Sequence, residues 1–168
     1  MTRARTTIVA GLVLLSGCAR SGYRFGSIHS DQIETVAIPV FENQTFDHDA
    51  SVRLTEALAK EIERSTRWRV TGRDVADTVI LGTVIDSSLG KLSTAPGSGF
   101  ALEQNVTITV DFEFRDNRSG ETLVARRNFS AVDTFVPTHP TREPIDVAQY
   151  GVIDELARDI VRTLAEAW

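Results

Sequence analysis

The most constraining feature of the sequence is a strict alternation of apolar and polar side chains in EQNVTITVDFEFRD, residues 103–116. Because successive side chains of a β-strand point to opposite faces, this alternation predicts a strand with one buried and one solvated face. The predicted core set is Val106, Ile108, Val110, Phe112 and Phe114, and the polar set is Thr107, Thr109, Asp111, Glu113 and Arg115. Such a strand needs an apolar layer on one side only.

A hairpin is predicted directly after this strand. Residues 117–120, Asn-Arg-Ser-Gly, have the composition of a short turn, with glycine where a positive φ is favoured. The stretch ETLVARRNFSAV that follows is rich in β-formers and is the predicted antiparallel partner strand.

The first strand is predicted in QIETVAIPVFEN, where Val36, Ile38 and Val40 alternate on one face. Pro39 lacks a backbone donor, which favours a sheet edge or a strand end. A second short strand is predicted in WRVTG, residues 68–72, after an intervening helix. The crossover rule makes these two strands parallel if they share a sheet. The β-branched stretch DTVILGTVIDSSL, residues 77–89, is apolar on both faces at its start and predicts a central strand.

Two amphipathic helices are predicted. The first has a core stripe of Leu54, Leu58 and Ile62 with Ala50, Ala57 and Glu61 beside it, and Asp47 or Asp49 stands where a helix cap is expected. The second runs from about Ile145 to Trp168, and its apolar side is Ile153, Ala157, Ile160, Val161, Leu164 and Trp168. Proline and glycine mark residues 90–102 and 134–144 as loops. The predicted fold is α+β, with two layers: a four- or five-stranded mixed sheet carrying both helices on one face.

The N-terminus has the pattern of an export signal. Arg3 and Arg5 precede a short apolar run that ends in small residues, which is too short to span a membrane. The single cysteine, Cys18, follows Leu15-Ser16-Gly17, which resembles the lipoprotein box of bacteria. We therefore expect a signal peptide at 1–17, a covalent lipid on Cys18, a tether at 18–32 and one domain at 33–168. Acyl chains on Cys18 would hold the protein stably at a membrane.

The charge balance excludes one class of partner. The full chain carries 18 Lys and Arg against 23 Asp and Glu, a net charge of −5, and it has no basic block. Proteins that track a nucleic-acid backbone need a concentrated positive surface. Nucleic acid is therefore not an expected partner.

No stretch of the sequence indicates an active site. Asp47, His48 and Asp49 are consecutive and poorly placed to converge on one metal ion, while His29 and His139 stand alone in polar or proline-rich stretches. The residues PGSGF at 96–100 lack the features of a phosphate loop or a nucleophile turn and are typical of a hairpin tip. Asp111 and Glu113 could form a glycosidase pair, but a solvated sheet face explains them more simply. We predict a protein without enzymatic activity, metal or cofactor, apart from the lipid on Cys18.

The order of these features resembles a known family. GYRFGS after the cysteine, VAIPVFENQTF, RLTEALAKEIERSTRWRV and ADTVILGTV together are similar to the LptE family of LPS-assembly lipoproteins. The resemblance covers the chain from Cys18 to Leu89 in motifs and to Trp168 in element order. It implies a lipoprotein on the periplasmic side of the outer membrane that plugs the LPS-export barrel LptD and contacts lipopolysaccharide.

A second resemblance remains open at this stage. VAIPVFENQTF also looks like the first strand of the curli-secretion lipoprotein CsgG and of the peptidoglycan-synthase activator LpoB. The tether favours the LptE family, because the 15 residues from Cys18 to Ile33 reach at most about 50 Å. A domain held that close to the bilayer suits a partner embedded in it.

Two sets of residues are candidates for binding. A large outer-membrane barrel has a polar interior, and Thr107, Thr109, Glu113 and Arg115 on the solvated strand face could meet it. Lipopolysaccharide is polyanionic, and Lys91, Arg118, Arg126 and Arg127 are the cations placed near predicted loops and turns.

Overall fold

A computed structural model describes residues 33–94, 101–136 and 145–167. In these ranges the chain forms six strands and two helices: β1 Thr35–Ala37, β2 Glu42–Asn43, α1 Ala50–Ser65, β3 Arg69–Val70, β4 Thr78–Thr94, β5 Ala101–Asp116, β6 Thr122–Phe135 and α2 Ile145–Glu166. The predictions made for Cys18, His29, His139, Trp168 and residues 96–100 lie outside the described residues.

The strands form one mixed sheet in the order β3-β1-β4-β5-β6. β1 pairs in parallel with both β3 and β4, so the predicted parallel arrangement of the first two strands is confirmed. β4, β5 and β6 are antiparallel, joined between β5 and β6 by the predicted turn, in which Gly120 has φ 74°. The α+β prediction with a mixed sheet and two helices on one face is confirmed, and the described sheet has six strands.

The sixth strand arises because the first predicted strand is interrupted. β1 ends at Ala37, and β2 resumes the parallel pairing with β4 five residues later. The predicted core position of Val40 is wrong, since Val40 is 61% exposed and Phe41 is 3% exposed. Between the two strands Pro39 offers no donor, and the Phe41 N–H turns away from the sheet to the Thr55 hydroxyl at 3.2 Å. The interruption therefore changes which side chain reaches the core.

Glycine at position 82 makes room for the ring of Phe41. A Cβ at Gly82 would lie 2.1 Å from Cε2 of Phe41, far inside van der Waals contact. Phe41 thereby packs directly on the β4 backbone and closes the edge of the core that the short strands leave open.

The two helices cover one face of the sheet. The predicted stripe of α1 is confirmed, as Leu54, Leu58 and Ile62 are fully buried. On α2 the buried side chains are Ala148, Val152, Ile153, Leu156, Ala157, Ile160, Val161 and Leu164. All of these belong to one core cluster with Val106, Ile108, Val110, Phe112 and Phe114 of β5, which confirms the alternation predicted for that strand.

The predicted cap of α1 is only partly right. Asp49 occupies the N-cap position, but its side chain makes no capping hydrogen bond. Its carboxylate instead lies 3.5 Å from the Arg53 guanidinium, one turn into the helix. The first turn is held by backbone groups, with the Ala50 N–H donating to the Asp47 carbonyl at 3.3 Å.

The predicted loop at 90–102 is largely wrong. β4 runs to Thr94, β5 begins at Ala101, and Lys91 pairs with Gln104 across the ladder. Glycine suggested a loop here, but strand propensity depends on context, and Gly90 and Lys91 pair with Asn105 and Gln104 of β5. The predicted loop at 134–144 likewise starts later, because β6 includes Phe135.

Candidate functional site

The face of the sheet that points away from the helices, here called the outer face, is the candidate binding surface. On β5 it presents Thr107, Thr109, Asp111, Glu113 and Arg115, all of them half-buried. The structure thus brings the four residues predicted to face a barrel onto one surface. Neither described helix lies over it, because the buried sides of both belong to the core on the opposite face.

Hydroxyl groups dominate one half of the outer face. Directly opposed residues of neighbouring strands share a face. Thr107 stands between Ser88 of β4 and Val132 of β6, and Thr109 stands between Asp86 and Ser130. This half of the outer face therefore offers hydrogen-bonding groups around a single exposed valine.

The other half of the outer face holds an open groove of 480 Å³. Its floor includes Leu81, Gly82 and Thr83 of β4, and its walls are the segment around Pro39 and the edge strand β6. The charged residues that line the groove are Glu42, Arg73, Asp111, Glu113, Arg115, Arg126 and Arg127. Four guanidinium groups thus meet three carboxylates in one shallow depression.

Two of the carboxylates already have partners within the fold. Arg115 and Glu113 form an ion pair on the strand, with the Arg115 Nε 2.7 Å from the Glu113 Oε2. Asp111 Oδ1 accepts the Asn128 backbone N–H at 2.8 Å. These contacts give the two carboxylates a structural explanation.

Three guanidinium groups of the groove keep their charge available. Among the described residues, none forms an ion pair with Arg73, Arg126 or Arg127. Arg126 donates to the neighbouring Ala125 carbonyl at 3.0 Å, and that bond leaves its charge uncompensated. Guanidinium groups are suited to phosphate and carboxylate ligands because they offer several donors in one plane.

A bulge in β6 shapes this side of the groove. Phe112 pairs with Arg126 and Val110 pairs with Phe129, so two residues, Arg127 and Asn128, stand opposite Asp111. Asn128 has φ 51°, a left-handed conformation that asparagine tolerates better than most residues. The extra residue resets the alternation of the strand, which lets both Val124 and Ala131 point into the core.

The four cations predicted to bind lipopolysaccharide do not gather at one place. Arg126 and Arg127 lie at the groove. Arg118 is in the turn before β6, 86% exposed, with its guanidinium 3.5 Å from Asp77. Lys91 lies opposite Gln104, near the other end of β5, on the order of 40 Å from Arg118 at the usual rise per strand residue. Only the adjacent pair contributes to a common surface.

Arg73 was not among the predicted site residues. It precedes β4 in a connecting segment and carries no pattern of its own. Its place is set by Asn117, whose side-chain amide donates to the carbonyls of Arg73 at 2.7 Å and Ala76 at 2.9 Å. This contact across 44 positions of sequence links the turn before β6 to the segment that holds Arg73.

Asp77 fixes the same end of the sheet. Its Oδ2 accepts the Thr35 hydroxyl at 2.8 Å and the backbone N–H groups of Glu34 and Thr35 at 3.2 and 3.1 Å. The hydrogen bond from the Thr35 hydroxyl, supported by the two N–H groups and by Arg118, holds the pKa of Asp77 below its usual value. The carboxylate therefore joins β1, β4 and the turn before β6.

The other residues considered for chemistry remain separate. His48 is exposed, and no group of three His, Cys, Asp or Glu side chains among the described residues is placed to hold a metal ion. No helix in the described ranges is both long enough and apolar enough to cross a membrane.

The sequence of residues 33–167 matches a family model described as LptE, lipopolysaccharide-assembly. The chain belongs to the LptE family. That confirms the family resemblance found in the sequence and assigns the chain to lipopolysaccharide assembly. No curated protein matches the chain.

Solved structures share the LptE-family fold found here. Rare lipoprotein B from Shewanella oneidensis has a TM-score of 0.54 and 14% identity, covering 79% of this chain and 95% of that one. The hypothetical protein CT253 from Chlamydia trachomatis has a TM-score of 0.52 and 10% identity, with coverage of 79% and 95%. Lipoprotein B from Nitrosomonas europaea has a TM-score of 0.50 and 16% identity, with coverage of 79% and 79%. At these identities the likeness shows the fold alone.

Proposed function

We propose that this LptE-family protein is a non-enzymatic lipoprotein of the outer membrane that assembles with, and plugs, an LptD-like β-barrel during lipopolysaccharide export. In this proposal residues 1–17 are removed, Cys18 carries the lipid anchor, residues 18–32 form a tether and residues 33–168 form the domain on the periplasmic side. The protein acts by binding and needs no cofactor.

The observation that carries the proposal is the polar outer face of the sheet. Barrels of the outer membrane have polar interiors, so a plug must present hydrogen-bonding groups to them. Thr107, Thr109, Glu113 and Arg115 present such groups side by side on one strand. Three long antiparallel strands give this surface a rigid backing, which limits the entropy lost when it binds.

In this proposal the groove is the site that binds lipopolysaccharide. Arg73, Arg126 and Arg127 offer cationic groups without an ion-pair partner among the described residues, beside the apolar side chain of Leu81. A phosphate of lipopolysaccharide matches the guanidinium groups in charge and geometry. Arg118 and Lys91, at opposite ends of β5, would meet other parts of such a large ligand.

Purification of the detergent-solubilised lipoprotein from membranes tests the proposed partner. We expect a large outer-membrane β-barrel to co-purify with the intact protein. Recovery of a cell-wall synthase without a barrel would contradict the proposal and favour an activator of the LpoB kind.

The lipopolysaccharide contact has its own test. The double variant Arg73→Glu/Arg127→Glu should bind labelled lipopolysaccharide at least about tenfold more weakly, because repulsion replaces charge-assisted hydrogen bonds. The double variant Lys60→Glu/Arg158→Glu is the matched control, since both residues are exposed in the helical layer and the change in net charge is the same. Equal losses in both variants would mean that binding follows net charge and not the groove.

A further inference from the structure

Phe46 is the most exposed large apolar side chain of the described residues. Its relative exposure is 99%, although it lies between β2 and α1 in the well-packed part of the fold. Scattered exposed apolar residues are common on proteins. A phenyl ring with no intramolecular contact area is worth explaining when the backbone that displays it is rigid.

The turn that displays Phe46 is held by a dense set of hydrogen bonds. The Asn43 side chain accepts the Thr45 N–H and hydroxyl, each at 2.8 Å, and donates to the Asp47 carbonyl at 2.6 Å. The Asp47 N–H donates to the Thr45 hydroxyl at 3.2 Å, and the Gln44 N–H donates to the Val84 carbonyl at 2.9 Å. Polar bonds on both sides of residue 46 therefore hold the backbone that displays its ring.

The turn is also fastened to the start of α2. Asp47 Oδ2 lies 3.4 Å from the Gln149 side-chain amide and 3.5 Å from the Ser87 hydroxyl. Asp49 pairs with Arg53, whose guanidinium carbon lies 4.8 Å above the centre of the Tyr150 ring. The N-terminal ends of both helices thus meet at the turn.

Two half-exposed side chains of α2 extend this surface. Val147 and Tyr150 are each about half exposed, and their spacing of three residues puts them on one face of the helix. We use the name knob surface for Phe46 together with these two side chains, all of which lie near the N-terminal ends of the helices. It lies at the helix N-termini, away from the groove on the outer face of the sheet.

We infer that the knob surface is a protein-docking site in which Phe46 inserts into an apolar pocket with a basic rim. The negative charge of the turn favours a protein over a lipid as the partner that binds Phe46. Asp47 and Asp49 follow the ring in the turn, against Arg53 as the neighbouring cation. An anionic lipid surface would be repelled by these carboxylates, whereas Lys or Arg at the rim of a protein pocket would pair with them.

An aromatic side chain on a well-held backbone is suited to this role. Aromatic anchors in pockets contribute most of the affinity at many interfaces, and a backbone that is already ordered loses little entropy on binding. The inference rests on the proposed function in one respect, because it assumes that the pocket for Phe46 belongs to the β-barrel partner. The knob surface would then be a second contact with the barrel, separate from the outer face.

A photo-crosslinking amino acid at position 46 of the full-length lipoprotein tests this in living cells. We expect capture of the same β-barrel that a crosslinker at Thr109 captures. Val75 is the matched control, because it is 73% exposed and lies in the segment before β4, whereas the turn of Phe46 meets that strand at Val84 and Ser87. A crosslinker at Val75 should capture no barrel.

Affinity of the purified lipoprotein for the barrel gives a second measurement. Phe46→Ser should weaken binding by about thirty-fold, the loss typical of an anchor residue, and Phe46→Leu should retain more of it. Unfolding temperature should stay unchanged in both variants, since the ring has no packing to lose. An equal loss of affinity in Val75→Ser would overturn the inference.

The outcomes separate this inference from the proposed function. Barrel capture from Thr109 but not from position 46 would overturn the docking site and leave the proposed function standing. Capture of the barrel from neither position would overturn both. Capture of lipid or lipopolysaccharide alone from position 46 would show that the knob surface meets a membrane, contrary to the inference.

Discussion

Asp111 accepts the backbone N–H of Asn128 at 2.8 Å and thereby closes the bulge that reverses the alternation of β6. Because of the bulge, β6 buries side chains in the same core both before and after residues 127–128. Arg126 and Arg127 border the groove. Fold and candidate site therefore depend on the same pair of residues.

Substitution of Asn128 tests this bulge. Asn128→Val should lower the free energy of unfolding by about 1–3 kcal/mol, because a β-branched residue is strained at a positive φ. Asn128→Gly is the control and should be tolerated, since glycine adopts that conformation without cost. Chemical denaturation of the domain measures both. Equal stability of the two variants would mean that residue 128 does not hold a left-handed conformation in solution.

The contact between Phe41 and Gly82 predicts a second effect on stability. Gly82→Ala should destabilise the domain by about 1–3 kcal/mol, the usual cost of overpacking, because the new methyl group collides with the ring. Gly72→Ala is the matched control, since a Cβ at Gly72 meets nothing within 4 Å. The difference between the two unfolding temperatures is the quantity to measure. A Gly82→Ala variant as stable as Gly72→Ala would mean that Phe41 does not pack on β4.

The core position of Leu58 predicts a larger loss of stability on substitution. Leu58→Ala should cost about 2–5 kcal/mol, because it removes buried methyl groups and leaves a cavity. Glu63→Ala on the exposed side of α1 serves as the control and should change stability by less than about 0.5 kcal/mol. A small effect of both substitutions would contradict the register of α1 against the sheet.

Asp77 predicts a dependence of stability on pH. Its pKa is lower in the folded protein than in the unfolded chain, so protonation favours unfolding. The contribution is fully present above the ordinary pKa, near 3.8, and is lost as pH falls from there through the lower folded value. Urea midpoints of the wild type and Asp77→Asn should differ most at pH 7 and converge at acid pH. If the difference between the two urea midpoints did not change with pH, the effect of Asp77 would not come from the charge of its carboxylate.

The lipid anchor is tested by Cys18→Ala. This variant should leave the membrane fraction for the soluble periplasmic fraction, or accumulate as unprocessed precursor, because the acylated side chain is lost. Fractionation of cells followed by detection of the protein gives the result. A mature variant that stays in the membrane would exclude the anchor.

Periodicity predicted the parts of the fold in which one face is buried throughout. β5, the stripe on α1 and the apolar side of α2 each repeat one pattern over at least three turns or six strand residues. The method failed where the pattern changes within an element. Val40 was placed in the core because the alternation was extended across Pro39, although the local backbone turns and brings Phe41 inward.

The candidate site was less accessible to sequence reasoning than the fold. The polar residues of β5 could be predicted because they alternate with the apolar residues that form the core. The groove depends on residues brought together from five separate segments, and Arg73 gave no signal before its contact with Asn117 was known. The effect of the bulge is visible in the numbering of the buried residues of β6. The buried position is even-numbered at Val124, before the bulge, and odd-numbered at Ala131, after it.

Crosslinking along β5 in living cells tests the central claim most directly. Photo-crosslinkers at Thr107, Thr109 and Glu113 should capture a large outer-membrane β-barrel, because these residues lie on the outer face. Crosslinkers at Ile108 and Val110 should capture nothing, because their side chains are buried beneath the helices. Capture that alternates along the strand is the predicted result, whereas equal yields at Thr107, Ile108 and Thr109, or capture of a cell-wall synthase in place of a barrel, would contradict the account.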